Sequence, residues 1–536
     1  MHHVEFDVTF TNTNSNKEKR VVDKEVASTP HPEMLDEETR KLHALGYAQE
    51  LKRAMSGFSN FAVSFTIISI LSGCLTLYYF GMTTGGPAEM VWGWVVVGVM
   101  TTIVGLGMAE IASSYPTAGG LYYWSAKLAK SKGAAWSWFT GWFNLIGQVA
   151  VTAGIDFGFA TFFSAFLNLT TGIQATRGTV LVVYAVTLLA HGLINSFGVK
   201  LVAFLSNVSA WWHILGVIVI VTALALIPTH HASAAFVFTK FVNETGFHST
   251  FYVVLIGLLM AQYTFTGYDA SAHMSEETKG ASLTVPRGIV NSILVSLAAG
   301  FVLIVGITFA ITNDYQKALA SPTGVPPVQI WIDSIGRTGG ELLLVIAMVA
   351  QFFCGMASVT ANSRMIYAFA RDGAVPGSSI WHHINPRTRT PTRSIWFAIV
   401  GAFILGVPSY WSTTAYGAVT SIATIGLYLA YITPTLLRRL PGTRFEPGPW
   451  NLGKWSPIIG WTGIVWVAII TVLFMLPEVS PINRNTFNYA PVALVVVLGY
   501  AGIYWALSAR KWFKGPKMQG NEAELERLEM DLGEPV

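Results

Sequence analysis

The stretch NFAVSFTIISILSGCLTLYYFGM (60–82) holds no charged residue, and its middle reads Ser69-Ile70-Leu71-Ser72-Gly73-Cys74. As a helix it is long enough to cross a bilayer, which takes about 20 predominantly apolar residues. A second stretch, TFYVVLIGLLMAQYTFTGYDASAHM (250–274), is built alike, with Tyr263-Thr264-Phe265-Thr266-Gly267-Tyr268-Asp269 toward its middle. Each puts hydroxyl side chains and a glycine at membrane depth. Glycine weakens a helix interior by about 1 kcal/mol relative to alanine. In lipid, a backbone group freed from its helix costs several kcal/mol unless it lines a cavity. Two such interruptions predict two broken helices around a site. Taken singly, each is also explained as a notch where small residues let helices pack closely.

Ten more apolar stretches lie near 88–112, 134–168, 179–197, 201–227, 287–312, 340–368, 393–411, 414–436, 456–476 and 490–508, so twelve spanning helices are expected. Composition agrees. Only 12% of the 536 residues are charged and 52% are hydrophobic, against about 25% charge in soluble domains. That excludes an ordinary cytosolic enzyme and a disordered scaffold. Cys74 and Cys354, the two cysteines, sit in apolar runs and read as buried small hydrophobes. With the N-terminus inside, only Arg177, Lys240, Lys317, Arg337 and Arg484 fall in outer loops; Arg364 lies in the eighth helix, and every other Lys and Arg is cytoplasmic. Both termini are therefore expected in the cytoplasm. The first 15–30 residues show no secretory signal.

The expected organisation is a cytoplasmic tail 1–57, a first five-helix repeat 58–227, an outer loop with a second five-helix repeat 228–439, helices eleven and twelve in 440–510, and a cytoplasmic tail 511–536. Leu42, Leu45 and Leu51 recur among charges in the first tail, fitting either a helix against the inner mouth or a solvated segment. The two interruptions fall in the first helix of each set of five. Matched interruptions point to an inverted-repeat transporter with its substrate between discontinuous helices. A half-helix N-terminus offers bare N–H groups to a carboxylate, and the opposing C-terminus offers carbonyls to an ammonium. Two facing breaks thus suit a zwitterion. The first helix has no acidic residue, which argues against a site built on an aspartate there for a bare amine.

The chain resembles the amino acid–polyamine–organocation superfamily, within its amino-acid/choline branch, and is most similar there to the bidirectional amino-acid transporter and GABA permease group. The resemblance covers nearly the whole chain. It is carried by ELKRAMSGFSNFAVSFTIISILSGCLTLYYFG (50–81), MAEIASSYPTAGGLYYWSA (108–126), FTGWFNLIGQVAVTAGIDF (139–157), LLMAQYTFTGYDASAHMSEET (258–278), VPRGI (285–289), FFCGMASVTANSRMIYAFARDGAVP (352–376), SIATIGLYLAYITP (421–434) and FEPGPWNLGK (445–454). It implies an all-α polytopic membrane protein with a leucine-transporter-like inverted repeat of five plus five helices and two appended. It also implies a plasma-membrane permease working by alternating access on amino acids, GABA among them, with a choline or polyamine permease as the alternative. By motif, the Ser72 and Gly73 amides take the place of the substrate-carboxylate site, and Ser69, Ile70 and Leu71 would supply its carbonyl side. Thr264, Phe265, Thr266, Gly267 and Tyr268 would form the second break under Tyr263 as aromatic gate, with Gln148 and Ser358 as side walls. The segment Asn207–His213 departs from the pattern. In some branches it ends in a proton-coupling lysine, and here it ends in His213.

Charges at bilayer depth are costly and so are functional candidates. Asp269 can brace the second break or exchange protons; His213 can carry a proton or bond neutrally between helices. Glu110 reads as a cytoplasmic gate or a snorkelling interface residue, and the resemblance favours a brace near the gate; Asp156 has a similar double reading, and Arg364 reads as a tie between helices near the inner face. Among the histidines, His191 has no evident partner. No His/Cys/Asp/Glu spacing suits a metal, and no phosphate loop suggests ATP. No cofactor is implied, and protons and sodium remain the two candidate coupling ions. Expected partners are a small amino acid and the lipid bilayer, not nucleic acid; the oligomeric state is not set by the sequence. A membrane enzyme should gather acid–base clusters at one interface, and a channel should show a repeated pore segment. The sequence has neither.

Overall fold

The lipid-length stretches form helices wherever no Gly, Ser or Thr cluster interrupts them. A computed structural model describes residues 37–311, 315–321, 324–411 and 413–532. Residues 1–36 of the expected first tail, and 533–536 of the last, lie outside the described residues. A short amphipathic helix, α1 (Glu37–Ala44), precedes the first span, which is divided into α2 (Gly57–Ile68), α3 (Ile70–Thr76) and α4 (Tyr78–Thr83). Ser56 starts α2 by accepting from the Ser59 amide, the usual role of an N-cap serine. The two-residue strand β1 (Thr84–Gly85) leads into α5 (Gly86–Ser114), α6 (Gly120–Leu128), α7 (Gly133–Thr171), α8 (Arg177–Ser196) and α9 (Val199–Leu226).

After α10 (Ala234–Thr239), β2 (Val242–Asn243) pairs antiparallel with β1. The second interrupted stretch gives α11 (Thr250–Gly257), α12 (Leu259–Thr264) and α13 (Ala270–His273). Then come α14 (Ala281–Phe309), α15 (Tyr315–Leu319), α16 (Pro326–Arg371), α17 (Ser378–Trp381), α18 (Thr392–Gly406) and α19 (Thr413–Arg439). The chain ends with α20 (Ser456–Leu473), α21 (Ala490–Tyr504), α22 (Arg510–Trp512) and α23 (Glu522–Leu532). Two bounds move from expectation. The seventh span begins at Ala281, and the eighth runs from Pro326 with a kink at Gly336.

Among the described residues, eleven helices are long and apolar enough to cross a membrane. Twelve were expected; the stretch 250–274 supplies no such helix because its helical residues stop at Thr264 and resume at Ala270. Large side chains such as Val182, Leu193, Phe204, Ile404, Val495 and Leu507 are exposed on these helices, as lipid-facing residues must be. The packing repeats internally. In each pair of contacts the second follows from the first when the two sets of five helices are exchanged: α7 packs on α19 as α16 packs on α9, α7 on α8 as α16 on α18, and α2 on α9 as α12 on α19. The pairs α5–α14, α7–α16 and α8–α18 map onto themselves. Five-plus-five organisation is therefore visible in the contacts, and both interruptions occupy the first member of their set.

The described ends of the chain meet on one face. His43 of α1 lies 2.8 Å from Glu529 of α23, the Ala48 amide donates to Gln519, and Gln519 donates back to the Gly46 carbonyl. Leu42 and Leu51 are buried, so this part of the tail 1–57 packs on the body.

Candidate functional site

The first break is a single residue. Ser69 adopts φ 38°, ψ 77°, a left-handed conformation that costs an L-residue about 1–2 kcal/mol. Its carbonyl accepts from both the Ser72 and Gly73 amides, at 2.8 and 2.9 Å. Those two amides are therefore closed, contrary to the expectation that they hold a carboxylate. Of Ser69, Ile70 and Leu71, expected as the carbonyl side, Ser69 turns its carbonyl to those two amides. At the end of α2, the Ile67 carbonyl accepts from Cys354 Sγ at 3.2 Å.

His213 fixes this break. Its Nε2 lies 2.7 Å from the Ser69 hydroxyl and its Nδ1 2.8 Å from the Ser209 carbonyl. A carbonyl only accepts, so Nδ1 carries the hydrogen and Nε2 accepts from Ser69.

The second break spans Phe265–Asp269 and is heavily partnered. Gly267 has φ 89°, a region that favours glycine. The Tyr428 hydroxyl donates to the Phe265 carbonyl at 2.5 Å, and the Gly267 amide donates to the Tyr431 hydroxyl at 3.1 Å. Tyr431 in turn donates to Asp269 Oδ1 at 2.7 Å. Asp269 Oδ2 receives Gln148 Nε2 at 2.8 Å and Asn144 Nδ2 at 3.2 Å, with His273 Nε2 at 3.2 Å. Ser64 of α2 donates to the Tyr268 carbonyl at 3.0 Å and accepts from the Ser271 amide at 2.9 Å.

The two breaks touch. A Cβ built on Gly73 would lie 2.7 Å from Thr264, and one on Gly267 2.1 Å from Ile67. Between them lies a cavity of about 10 Å³ lined by Ile67, Ile68, Ser72, Gly73, Val151, Ile155, Tyr263, Thr264, Thr266 and Cys354. That is about the room one water molecule needs, so the two breaks are closed on each other in this conformation. Of the expected residues the cavity brings together Ser72, Gly73, Tyr263, Thr264 and Thr266. Ser69, Ile70, Leu71, Phe265, Gly267 and Tyr268 belong to the breaks but do not line it. Gln148 and Ser358 are not its side walls: Gln148 is turned to Asp269, and Ser358 bonds Thr152 at 2.9 Å. Sequence reasoning missed Ile67, Ile68, Val151, Ile155 and Cys354, whose apolar types give no signal beyond burial.

The other charged candidates named from the sequence are paired, whereas Glu89 of α5 is buried with its Oε1 lacking a partner among the described residues. His191 gains the partner it lacked in sequence, Asp156, with Nδ1 3.2 Å from Oδ1. Glu110 joins three elements, accepting from Arg438, from Ser456 at 2.6 Å and from the Leu452 amide at 3.2 Å. Arg364 meets Glu277 at 2.7 Å and Arg371 meets Glu276 at 3.0 Å. Beyond α16, Asp372 accepts from Tyr122 at 2.8 Å, Tyr47 at 3.0 Å and the Lys517 amide at 3.1 Å. Burial pushes its carboxyl above the usual range, against the pull of Arg371 and these donors. The termini-bearing mouth is thus closed by a network that includes both tails. Among the described residues no three His, Cys, Asp or Glu gather as metal ligands.

Residues 55–498 match the amino acid permease family. The chain is 46% identical over 494 residues to the amino-acid permease BAT1 homolog of Oryza sativa subsp. japonica, covering 89% of this chain and 95% of the relative. It is 44% identical to the amino-acid permease BAT1 of Arabidopsis thaliana, covering 90% and 97%. To the GABA-specific permease of Saccharomyces cerevisiae it is 33% identical, covering 89% and 85%.

Proposed function

Because this chain belongs to the amino acid permease family, and so is a multi-pass membrane transporter of amino acids and not an enzyme, we propose that it moves them by alternating access. The substrate is held between the helix-one and helix-six breaks, in the plasma membrane, with the termini-bearing face in the cytoplasm. One observation carries this reading: the two breaks meet, Gly73 against Thr264 and Gly267 against Ile67, and jointly line a small cavity. The Ile70 and Leu71 amides sit at the start of α3 and suit a carboxylate. The Thr66 and Ile68 carbonyls sit at the end of α2 and suit an ammonium. Tyr263, Thr264 and Thr266 close the cavity from the other break.

Alternation follows from the asymmetry of closure. The termini-bearing mouth is tied by buried ion pairs and by both tails. Moving α2–α3 together with α11–α13 against α7 and α16 opens that mouth and closes the other. The relative named a GABA-specific permease makes GABA a candidate beside α-amino acids. The test is uptake into proteoliposomes of labelled alanine, glutamate, GABA, choline and putrescine. Saturable uptake of an amino acid, accelerated by the same amino acid inside, is expected. Uptake of choline or putrescine alone would replace the zwitterion site with a cation site.

A further inference from the structure

Where α8 gives way to α9 the chain turns within two residues. α8 ends at Ser196 and α9 begins at Val199, and both helices are long and apolar enough to span a membrane. Phe197 and Gly198 therefore stand at its surface. Phe197 is 70% exposed, an apolar ring at the level where acyl chains meet headgroups. Beside it opens a cavity of about 390 Å³ whose polar side chains are Lys52, Lys200, Arg387 and Thr388, with no Asp or Glu among its lining. That volume falls within the about 300–1,000 Å³ of small-molecule sites. Lys52 belongs to the tail ahead of α2, so the cavity opens on the termini-bearing face.

Three separate segments bring their cations here. Lys52 comes from the N-terminal tail, Lys200 from the first turn of α9, and Arg387 from the loop between α17 and α18. Lys200 and Arg387 are exposed, and neither makes an ion pair among the described residues. Desolvation first, then the charges of Lys200 and Arg389, hold the Lys52 ammonium below its usual range. Like charges gathered this way raise one another's energy, and an anion set among them relieves it. The N-terminal end of the 28-residue α9 meets the same cavity, with Gly198 at its cap (φ 124°) and no side chain bonded there. Such an end carries the positive pole of the helix dipole. Arg387 is set in place by its own loop. Its amide donates to Asn385 Oδ1 at 3.0 Å, and the Arg389 amide donates to the Asn385 carbonyl at 2.8 Å. The acids that act on Arg389 are bonded elsewhere, Glu50 to Tyr367 at 2.9 Å and Glu529 to the Gln49 amide at 2.6 Å.

We propose that this cavity binds a phosphate monoester, presented by a phosphorylated lipid headgroup or by a free phosphorylated small molecule. A phosphate monoester carries nearly two negative charges at neutral pH and three acceptor oxygens. It matches three cations and a helix end, whereas a carboxylate would leave part of that charge unmet. Arg387 can bond two oxygens side by side, and Lys52 and Lys200 act as point charges. Basic pockets at the ends of spanning helices suit phosphorylated headgroups, and Phe197 sets this one at the depth where such a headgroup lies. A bound phosphate joins the tail at Lys52 to α9 and to the loop that carries Arg387. Arg389 of that loop already donates to the Glu50 carbonyl at 3.0 Å, so the anion would reinforce an existing junction. The cavity shares no residue with the one between the helix breaks, and the proposal does not depend on what that site carries.

The full chain in phosphatidylcholine nanodiscs tests this through its melting temperature, which a ligand of the folded state raises. The probes are a phosphatidylinositol monophosphate or phosphatidylserine built into the disc at equal surface charge, and inositol bisphosphate or inorganic phosphate added in solution. The phosphatidylinositol monophosphate is expected to raise the melting temperature well above the effect of phosphatidylserine. A shift with the lipid alone identifies a headgroup as the source, and a shift with the soluble phosphates alone identifies a free molecule; either supports the site. Lys200→Gln and Arg387→Gln should each weaken binding about tenfold, the loss of one charge-assisted contact, and together should abolish the shift. Lys511→Gln with Lys514→Gln, exposed cations outside the cavity, should leave it unchanged. The proposal falls if no probe shifts the wild type, or if phosphatidylserine matches the monophosphate. It falls equally if the Lys200→Gln/Arg387→Gln protein keeps the wild-type shift, or if the Lys511→Gln/Lys514→Gln protein loses as much, because the attraction would then belong to the whole basic face.

Discussion

The two helix breaks are built on opposite principles. The break in helix one is one residue wide, strained, and held by a single side chain, His213. The Ser69 carbonyl there takes both the Ser72 and Gly73 amides. The break in helix six is five residues wide and nearly every polar group in it is partnered, through Tyr428, Tyr431, Ser64 and the Asp269 cluster. A buried main-chain group left unpaired costs of order 1–3 kcal/mol. The partnered groups of helix six avoid that cost. Closed groups in helix six gain nothing from substrate and instead tie the break to α7, α19 and the segment at Ala118. The difference separates recognition from transmission.

The strongest way to break that division is to fill helix one where it meets helix six. A Cβ on Gly73 already lies 2.7 Å from Thr264 Cγ2 and Oγ1, so Gly73→Leu occupies the cavity itself. Uptake is expected to fall more than a hundredfold, about 3 kcal/mol or more of lost binding, with membrane insertion unchanged. Labelled amino-acid uptake per inserted molecule measures it. Gly73→Ala should lose less, and combining it with Thr264→Ala should restore part of the loss. Wild-type uptake in Gly73→Leu would move the site away from helix one.

This division was half legible in the sequence. Hydropathy and charge count place the spans, because each is a run of about 20 apolar residues whatever it packs against. The presence of both breaks is legible too, since Ser72-Gly73 and Thr266-Gly267 are costly in an uninterrupted helix. The register of the first break is not. It falls at Ser69 because His213, 144 residues away, captures that hydroxyl, and local propensity carries no trace of such a contact. The facing of Gln148 and Ser358 is lost for a related reason. α7 and α16 are polar and buried on several sides, so a helical period does not say which neighbour a given side chain meets. Cys354 reads as a core residue by type, and only the fold places its thiol against the Ile67 carbonyl. The pairing of α1 with α23 needed both ends of the chain at once.

A second test asks whether helix six is as rigid as its bonds imply. Gly267→Ala meets two penalties, a φ of 89° and a Cβ 2.1 Å from Ile67 Cγ2. Together they should cost about 2–4 kcal/mol, seen as a lower melting temperature in detergent. Adding Ile67→Ala relieves the contact but not the backbone, so about half the loss should return. A Gly267→Ala protein as stable as wild type would mean that the break yields, and transmission would need another route.

The smallest effect concerns the strain in helix one. Ser69→Ala keeps the left-handed conformation and strands the His213 Nε2 without its donor, for a loss of about 1–2 kcal/mol. Ser69→Gly loses the same hydrogen bond but relieves about 1 kcal/mol of backbone strain, offset in part by the greater freedom of glycine in the unfolded chain. The expected order of melting temperatures is wild type, then Ser69→Gly, then Ser69→Ala. A serine held only by the path of its backbone would reverse that, because glycine would then be the most stable of the three. In that case His213 would be a neighbour of the break and not its clamp, and the contrast with the braced helix six would become sharper still.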